Sequence, residues 1–314
     1  MTRIFYTTDV HGSDVIFRKF VNAGKFYKAN IVILDGDLTG KAIVPVVERQ
    51  DDTFESTFFG ETHLVKAGEV KALEGRINNL GFYPLRVGEE ELQTYQKDPK
   101  RVDRLFTEMM VKRIEEWVSL IEQNLKGSAI QCYVLPGNDD RFEIDKVLEH
   151  SDYIINPEGK VIDLDGAHEM INTGWSNPTP WDTPREESEE ALEKRIDAMM
   201  SQVKNVESCI FNLHCPPYDT GIDSAPQLDE NLKQVVKAGE VIMIPVGSKA
   251  VRSVIEKYQP LVGLHGHIHE SKGTRKVGRT LCVNPGSEYQ QGALKGVLVN
   301  LDDKGLKSTM FTSG

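Results

Sequence analysis

The chain has 314 residues, 39% of them hydrophobic and 27% charged, which is enough to bury one large α/β core or two smaller ones and excludes a disordered or fibrous chain. Lys and Arg number 37 against 48 Asp and Glu, a net charge of −11, which disfavours capture of nucleic acid or of an anionic membrane by the surface as a whole. Nowhere do about 18 apolar residues follow one another, and the amino-terminal residues carry no apolar stretch of signal-peptide length, so the expected location is the cytoplasm and no membrane partner is expected.

In chain order, the apolar run at residues 3–8, rich in β-branched and aromatic side chains, predicts a buried strand. Ser13 then caps a helix with Ile16, Phe17, Phe20 and Val21 on one face, and residues 31–34 predict a second strand. Residues 41–127 break this rhythm. They predict a hairpin at 53–59 and 62–66 turning at Gly60, a helix near 69–80, and a long amphipathic helix running from Asp98-Pro99 to Gly127. In that helix Val102, Leu105, Phe106, Met109, Ile114, Trp117, Val118, Ile121 and Leu125 recur at three and four. No Pro/Gly/Ser linker flanks the segment, so 41–127 is expected to be an insertion packed on a single domain of residues 1–314.

Further strands are predicted at 130–135, 208–213, 261–264 and 280–283. A helix is expected over 185–203, with Leu192, Ile196 and Met199 inward and Glu186, Glu187, Glu189 and Glu190 in its opening turns, where the helix dipole favours anions. Strands at 296–301 and 307–312 close the chain as an antiparallel hairpin across Asp302-Asp303-Lys304-Gly305. The order is that of α/β layering with a mixed sheet system. Cys132, Cys209 and Cys282 sit in strand-like runs and no C-x-x-C spacing occurs among the four cysteines, which predicts reduced thiols and no disulfide frame.

The chemistry lies at the carboxyl ends of the predicted strands, where open α/β sheets bind ligands. These ends read Asp9-Val10-His11, Asp35-Gly36-Asp37, Gly137-Asn138-Asp139-Asp140, His214-Cys215 and His265-Gly266-His267-Ile268-His269. Four of the eight histidines, His11, His214, His267 and His269, stand there beside Asp9, Asp37 and Asn138. Imidazole with carboxylate is a ligand set for Mn, Fe or Zn, and not for Ca²⁺ or a thiolate cluster. Cys215, the neighbour of a candidate ligand, is expected to point elsewhere. His265 is expected to support the site or join the core, and the loop from Trp175 to Trp181 to border the site or pack under the following helix. The basic strip Lys272, Arg275, Lys276 and Arg279 reads as a solvated hairpin.

The ordered series D-x-H, G-D, G-N, H, G-H-x-H, here Asp9/His11, Gly36/Asp37, Gly137/Asn138, His214 and Gly266/His267/His269, resembles the calcineurin-like metallophosphoesterases. The resemblance implies a four-layer sandwich of two mixed β-sheets flanked by helices, with a dinuclear metal centre of Mn, Fe or Zn at the strand ends. Carried over residue by residue, Asp9, His11 and His269 hold one ion, Asn138, His214 and His267 the other, and Asp37 bridges both. Two such ions lower the pKa of a shared water and clamp phosphoryl oxygens, and two carboxylates with neutral Asn and imidazoles leave the centre net positive for a phosphate.

One position departs from the family pattern: Asp139 stands where a histidine, thought to protonate the leaving group or orient substrate, follows G-N. Asp139 is counted with Asp37 among the catalytic candidates, although a carboxylate beside two cations is ionised and a poor proton donor. Asn138 and Arg141 are the substrate-binding candidates, Arg141 either forking onto phosphate or capping an acidic helix face. The expected function is hydrolysis of a small phosphate mono- or diester by a metal-bound hydroxide. The alternatives are a nuclease of the same fold, disfavoured by the acidic surface, and a catalytically weak scaffold acting through protein contacts.

Overall fold

Side chains alternate faces along a strand, and in this chain both faces are apolar, so each sheet must be covered twice. The computed structural model describes residues 1–314. It opens with β1 (Thr2–Thr8), α1 (Asp14–Phe26) and β2 (Ile31–Asp35). There follow β3 (Ile43–Glu48), β4 (Thr53–Phe58), β5 (Glu61–Lys66), α2 (Val70–Asn79), β6 (Tyr83–Gly88), α3 (Glu89–Lys97) and α4 (Pro99–Leu125). Next are β7 (Gln131–Leu135), α5 (Asp145–Glu149), β8 (Ile154–Ile155), β9 (Val161–Asp163), β10 (Glu169–Thr173), α6 (Glu189–Met200) and β11 (Ile210–Leu213). Short strands β12 (Ser224–Pro226), β13 (Val236–Lys237), β14 (Glu240–Val241) and β15 (Met243–Pro245) precede α7 (Lys249–Tyr258). The chain ends with β16 (Val262–Leu264), β17 (Gly273–Val277), β18 (Thr280–Asn284), β19 (Lys295–Asp302) and β20 (Gly305–Ser313).

Two six-stranded mixed sheets form, ordered β20-β19-β1-β2-β7-β8 and β17-β18-β16-β11-β10-β9. In the first, β1, β2, β7 and β8 run parallel; in the second, β10, β11, β16 and β18 do. Period-two alternation sorts the layers. Ile4, Tyr6, Ile31, Ile33 and Tyr133 of the first sheet share a core with Met170, Ile210, Val262 and Leu264 of the second. The intervening Phe5, Val32, Leu34, Cys132 and Val134 face Phe17, Phe20, Trp117 and Ile121 on α1 and α4. On the far side, Ile171, Phe211 and Cys282 meet Leu192 and Ile196 of α6 and Val251 and Val254 of α7. Helices, sheet, sheet, helices are the four expected layers. All four cysteines are free and buried.

The segment between β2 and β7 builds a four-stranded sheet, β5-β4-β3-β6, whose Val44, Val46, Phe54 and Phe58 cluster with Val70, Leu73 and Ile77. Asp98 caps α4 by accepting from Arg101 N, with Pro99 in its first turn. Trp117 stacks on Phe17 with ring centroids 3.9 Å apart. The end of α2 touches the loop after β1, where Ser13 Oγ donates to Asn79 O at 2.6 Å and so makes no side-chain cap on α1, contrary to expectation.

Two expected elements differ. The helix expected from 185 starts at Glu189, because the Ser188 side chain accepts from Ala191 N and caps it there; Glu186 instead accepts from Thr179 N at 2.9 Å and Thr183 N at 3.0 Å in the preceding loop. The long helix buries Met110 rather than Met109. No helix is long and apolar enough to cross a membrane.

Candidate metal centre

Every candidate ligand stands just beyond a parallel strand: Asp9 and His11 after β1, Asp37 after β2, Asn138 after β7, His214 after β11, His267 and His269 after β16. Their loops meet across the two sheets. Asp9 N donates to Asp35 O at 3.3 Å, Gly266 N to His214 O at 2.9 Å, and His267 N to Asp9 Oδ2 at 3.0 Å.

The glycines of the motifs have a packing reason. A Cβ on Gly36 would lie 2.0 Å from His214 Nδ1, one on Gly137 2.2 Å from Asp37 N, and one on Gly266 2.0 Å from Thr8 Oγ1, so no larger residue fits. Close approach of the loops also bends the backbone. Asp9, His11, Asp37 and His267 have φ of 54°, 41°, 45° and 65°, the left-handed region that non-glycine residues rarely occupy and that costs about 1–3 kcal/mol per residue.

The side chains fall into two groups that share Asp37: Asp9, His11, Asp37 and His269, and Asp37, His214 and His267, with the candidate ligand atoms of each group within 4.8 Å of one another. Asp37 Oδ2 lies 3.7 Å from His11 Nε2 and Oδ1 lies 3.5 Å from His214 Nε2. Asp9 Oδ1 is 3.4 Å from His269 Nε2 and 3.8 Å from His214 Nε2, and His11 Nε2 faces His269 Nε2 at 2.9 Å. Asn138 Nδ2 donates to Thr183 Oγ1 at 2.9 Å, which fixes the amide and leaves Oδ1 free.

Buried polar atoms normally find partners. Seven buried side-chain atoms have none; four of them, Asp9 Oδ1, His11 Nδ1, Asn138 Oδ1 and His214 Nε2, belong to the candidate set, and the others are Asp35 Oδ1, Asn212 Oδ1 and His265 Nε2. The carboxylate and imidazole atoms that converge in the two groups fit a divalent cation of the Mn, Fe or Zn type. Burial opposes ionisation of Asp9 and Asp37, yet His269 beside Asp9 and His214 beside Asp37 hold both carboxyls below the usual carboxylate range. Burial and the neighbouring His214 push His267 down to about 4, so this imidazole is neutral, as a ligand must be. His214 and His269 go the other way; burial opposes their protonation, but Asp37 and Asp9 respectively outweigh it and raise both.

Several participants carry no motif. Asp35, fully buried, sits 3.2 Å from His214 Nδ1 and accepts from Tyr6 Oη at 2.9 Å, which aims His214 Nε2 at the centre. A carboxylate at the end of a buried central strand was the available signal. Asp140 accepts from Leu38 N, Thr39 N and Gly137 N at 2.9, 2.9 and 2.8 Å and so ties the Asp37 loop to the Asn138 loop. Arg185, also buried, donates to Asp140 O at 2.9 Å and lies 2.6 Å from Asp145 Oδ1, clamping the same turn. Tyr289 places its ring 4.7 Å from that of His11.

The remaining candidates separate. Asp139 N donates to Asp37 Oδ1 at 3.0 Å, and Lys41 Nζ lies 2.9 Å from Asp139 Oδ2. Burial and Asp37 push Asp139 up to about 6, with Lys41 opposing. Arg141 is turned to α4: Nη1 donates to Thr107 Oγ1 at 2.6 Å and Nη2 pairs with Asp103 at 2.7 Å, the contact with an acidic helix face that was one of its two expected roles. Cys215 Sγ points to Asn177 Oδ1 at 2.8 Å, outside both groups. His265 Nδ1 bonds Leu213 O at 2.8 Å. Trp175 packs under Arg195 of α6, while Trp181 is exposed. The basic strip forms the edge strand β17 and its turn, largely exposed. A polar cleft of about 380 Å³ opens beside His269, lined by Lys272, Ser287, Tyr289 and Gln291 among others.

Two mixed sheets between helices, with five ligand-bearing loops at the parallel strand ends, are the fold of the calcineurin-like metallophosphoesterases. One solved structure covers 98% of its own length and 99% of this chain at a TM-score of 0.59 and 15% identity. The protein TT1561 of Thermus thermophilus matches at 0.54 and 15% identity, over 100% of this chain and 98% of its own. No protein-family model matches the chain. It is 33% identical over 177 residues to the uncharacterized protein MJ1162 of Methanocaldococcus jannaschii, an alignment covering 55% of this chain and 72% of that protein. The chain belongs to the same family as MJ1162.

Proposed function

We propose that the chain is a metal-dependent phosphoesterase with a dinuclear centre, acting on a small phosphate mono- or diester. The observation that carries this reading is the Asp37 carboxylate, which turns one oxygen to His11 and the other to His214 and so belongs to both ligand groups. Asp9, His11, Asp37 and His269 hold one ion, and Asn138, His214, His267 and the shared Asp37 the other. Bound there, two divalent ions supply a nucleophile from water near neutral pH and a clamp for phosphoryl oxygens.

The protein's own groups do the rest. Asp35 fixes the His214 tautomer by accepting from Nδ1, and Thr183 fixes the Asn138 amide. The buried walls exclude water around Asp9 and His214, where opposite charges attract more strongly than in bulk solvent. The cleft beside His269, with one hydrophobic residue among its lining, suits a polar alcohol portion of the ester. The test is metal analysis of the purified protein together with hydrolysis of aryl phosphate mono- and diesters. Two equivalents of Mn, Fe or Zn with chelator-sensitive hydrolysis are expected; a protein that binds no metal, or binds two and cleaves neither ester, overturns the reading.

A further inference from the structure

The ion pair of Lys41 and Asp139 is outside the ligand set, and packing does not explain it. The Lys41 side chain is 48% exposed and that of Asp139 24%, so the pair lies at the rim of the centre rather than among its fully buried residues. A pair this exposed adds little to stability. Asp139 is nonetheless fixed, through its amide to Asp37 Oδ1 at 3.0 Å and with Oδ2 3.9 Å from His11 Nδ1. It is the one carboxylate within ion-pair distance of Lys41, which leaves ammonium donors unused at the edge of the centre.

We propose that Lys41 is an anion-binding residue of this site: its ammonium, tethered by Asp139, donates to a non-bridging oxygen of a phosphoryl group seated at the centre. The inference rests on the phosphoesterase reading and extends it. It accounts for the departure at Asp139, since a carboxylate there, instead of an imidazole, positions a lysine that enters from the loop between β2 and β3. Lysine binds phosphate as a point charge without needing a planar fork. Asp139 is then a positioning residue, and the positive group facing substrate is Lys41.

The experiment compares wild type, Lys41→Met, Lys41→Arg and Asp139→Asn, each loaded with Mn²⁺. Orthophosphate binding is measured by calorimetry, bound metal by elemental analysis, and KM and kcat on an aryl phosphate. Lys41→Met is expected to bind orthophosphate about 10- to 100-fold more weakly at unchanged metal content. Lys41→Arg is expected to recover most of that loss, and Asp139→Asn to fall between. Orthophosphate affinity in Lys41→Met within about two-fold of wild type overturns the inference, as does a wild type that binds no orthophosphate, or a Lys41→Met protein that has lost its metal. A wild type that binds orthophosphate through Lys41 but hydrolyses no ester retains the anion site and refutes the phosphoesterase reading instead.

Discussion

At the scale of single residues, the centre depends on a few carboxylate oxygens being pointed correctly. Asp37 faces both histidine groups while His269 faces one, so the two positions are not equivalent. Asp37→Asn is expected to lose both ions and His269→Ala one, read as metal per chain after gel filtration; equal stoichiometry in the two variants would remove the bridge. Asp35 touches no proposed ion, yet it orients His214 through Nδ1. Removing such a support typically lowers metal affinity about 10- to 100-fold. Asp35→Asn, nearly isosteric, tests this by metal titration, and an unchanged affinity would show that packing alone orients the ring.

At the scale of elements, what was legible follows from whether the local pattern and the tertiary environment agree. The central parallel strands are mostly apolar because both of their faces are buried, and β1, β2, β7 and β16 were therefore readable, as was β11 despite Asn212, along with the motifs at their ends. Strands β3 and β6 were not, because Pro45 and Pro84 interrupt them and a proline argues against a strand that needs ladder donors. Strand β10 was hidden by Asn172, whose Oδ1 accepts from Asn212 Nδ2 at 3.0 Å on β11; a polar residue buried in a sheet is tolerable only with such a partner, and the partner is invisible locally. Among site residues, the candidate ligands carried motif signals, whereas Asp35, Lys41, Arg185 and Tyr289 are brought to the centre by contacts far apart in sequence.

The segment between β2 and β7 has its own small core, and this allows it to be perturbed separately. Ile77 is fully buried among Val44, Phe54 and Leu73, and Ile→Ala at such a site costs about 2–5 kcal/mol. Ile77→Ala is expected to raise amide exchange across residues 43–88 and to change KM, since Gly81 of this segment abuts the backbone at His11, where a Cβ would lie 2.1 Å from the His11 carbonyl oxygen. Metal content is expected to stay constant. Loss of bound metal in this variant would show that the segment is part of the frame of the centre.

At the scale of the whole molecule, the proposed cations would tie the stability of the fold to the centre. Asp9, Asp35 and Asp37 are buried together beside His11 and His214, and four of the ligand-bearing residues occupy left-handed backbone. The strained backbone does not favour folding by itself. Cations that bind the folded state alone add stability by mass action, about 2.7 kcal/mol for one site at a free concentration 100 times its dissociation constant. With roughly 2–4 °C per kcal/mol for large domains, and less for a longer chain, chelation is expected to lower Tm by about 5–10 °C. Asp37→Asn sharpens the test, because it removes a buried charge along with the bridge. Its Tm is expected to rise little when Mn²⁺ is restored. Calorimetric scans of both proteins, with and without chelator, decide the matter. A wild type whose Tm does not respond to chelation although metal has demonstrably left would mean that the buried carboxylates are stabilised by the histidines alone, and that the frame of the centre is complete without the ions.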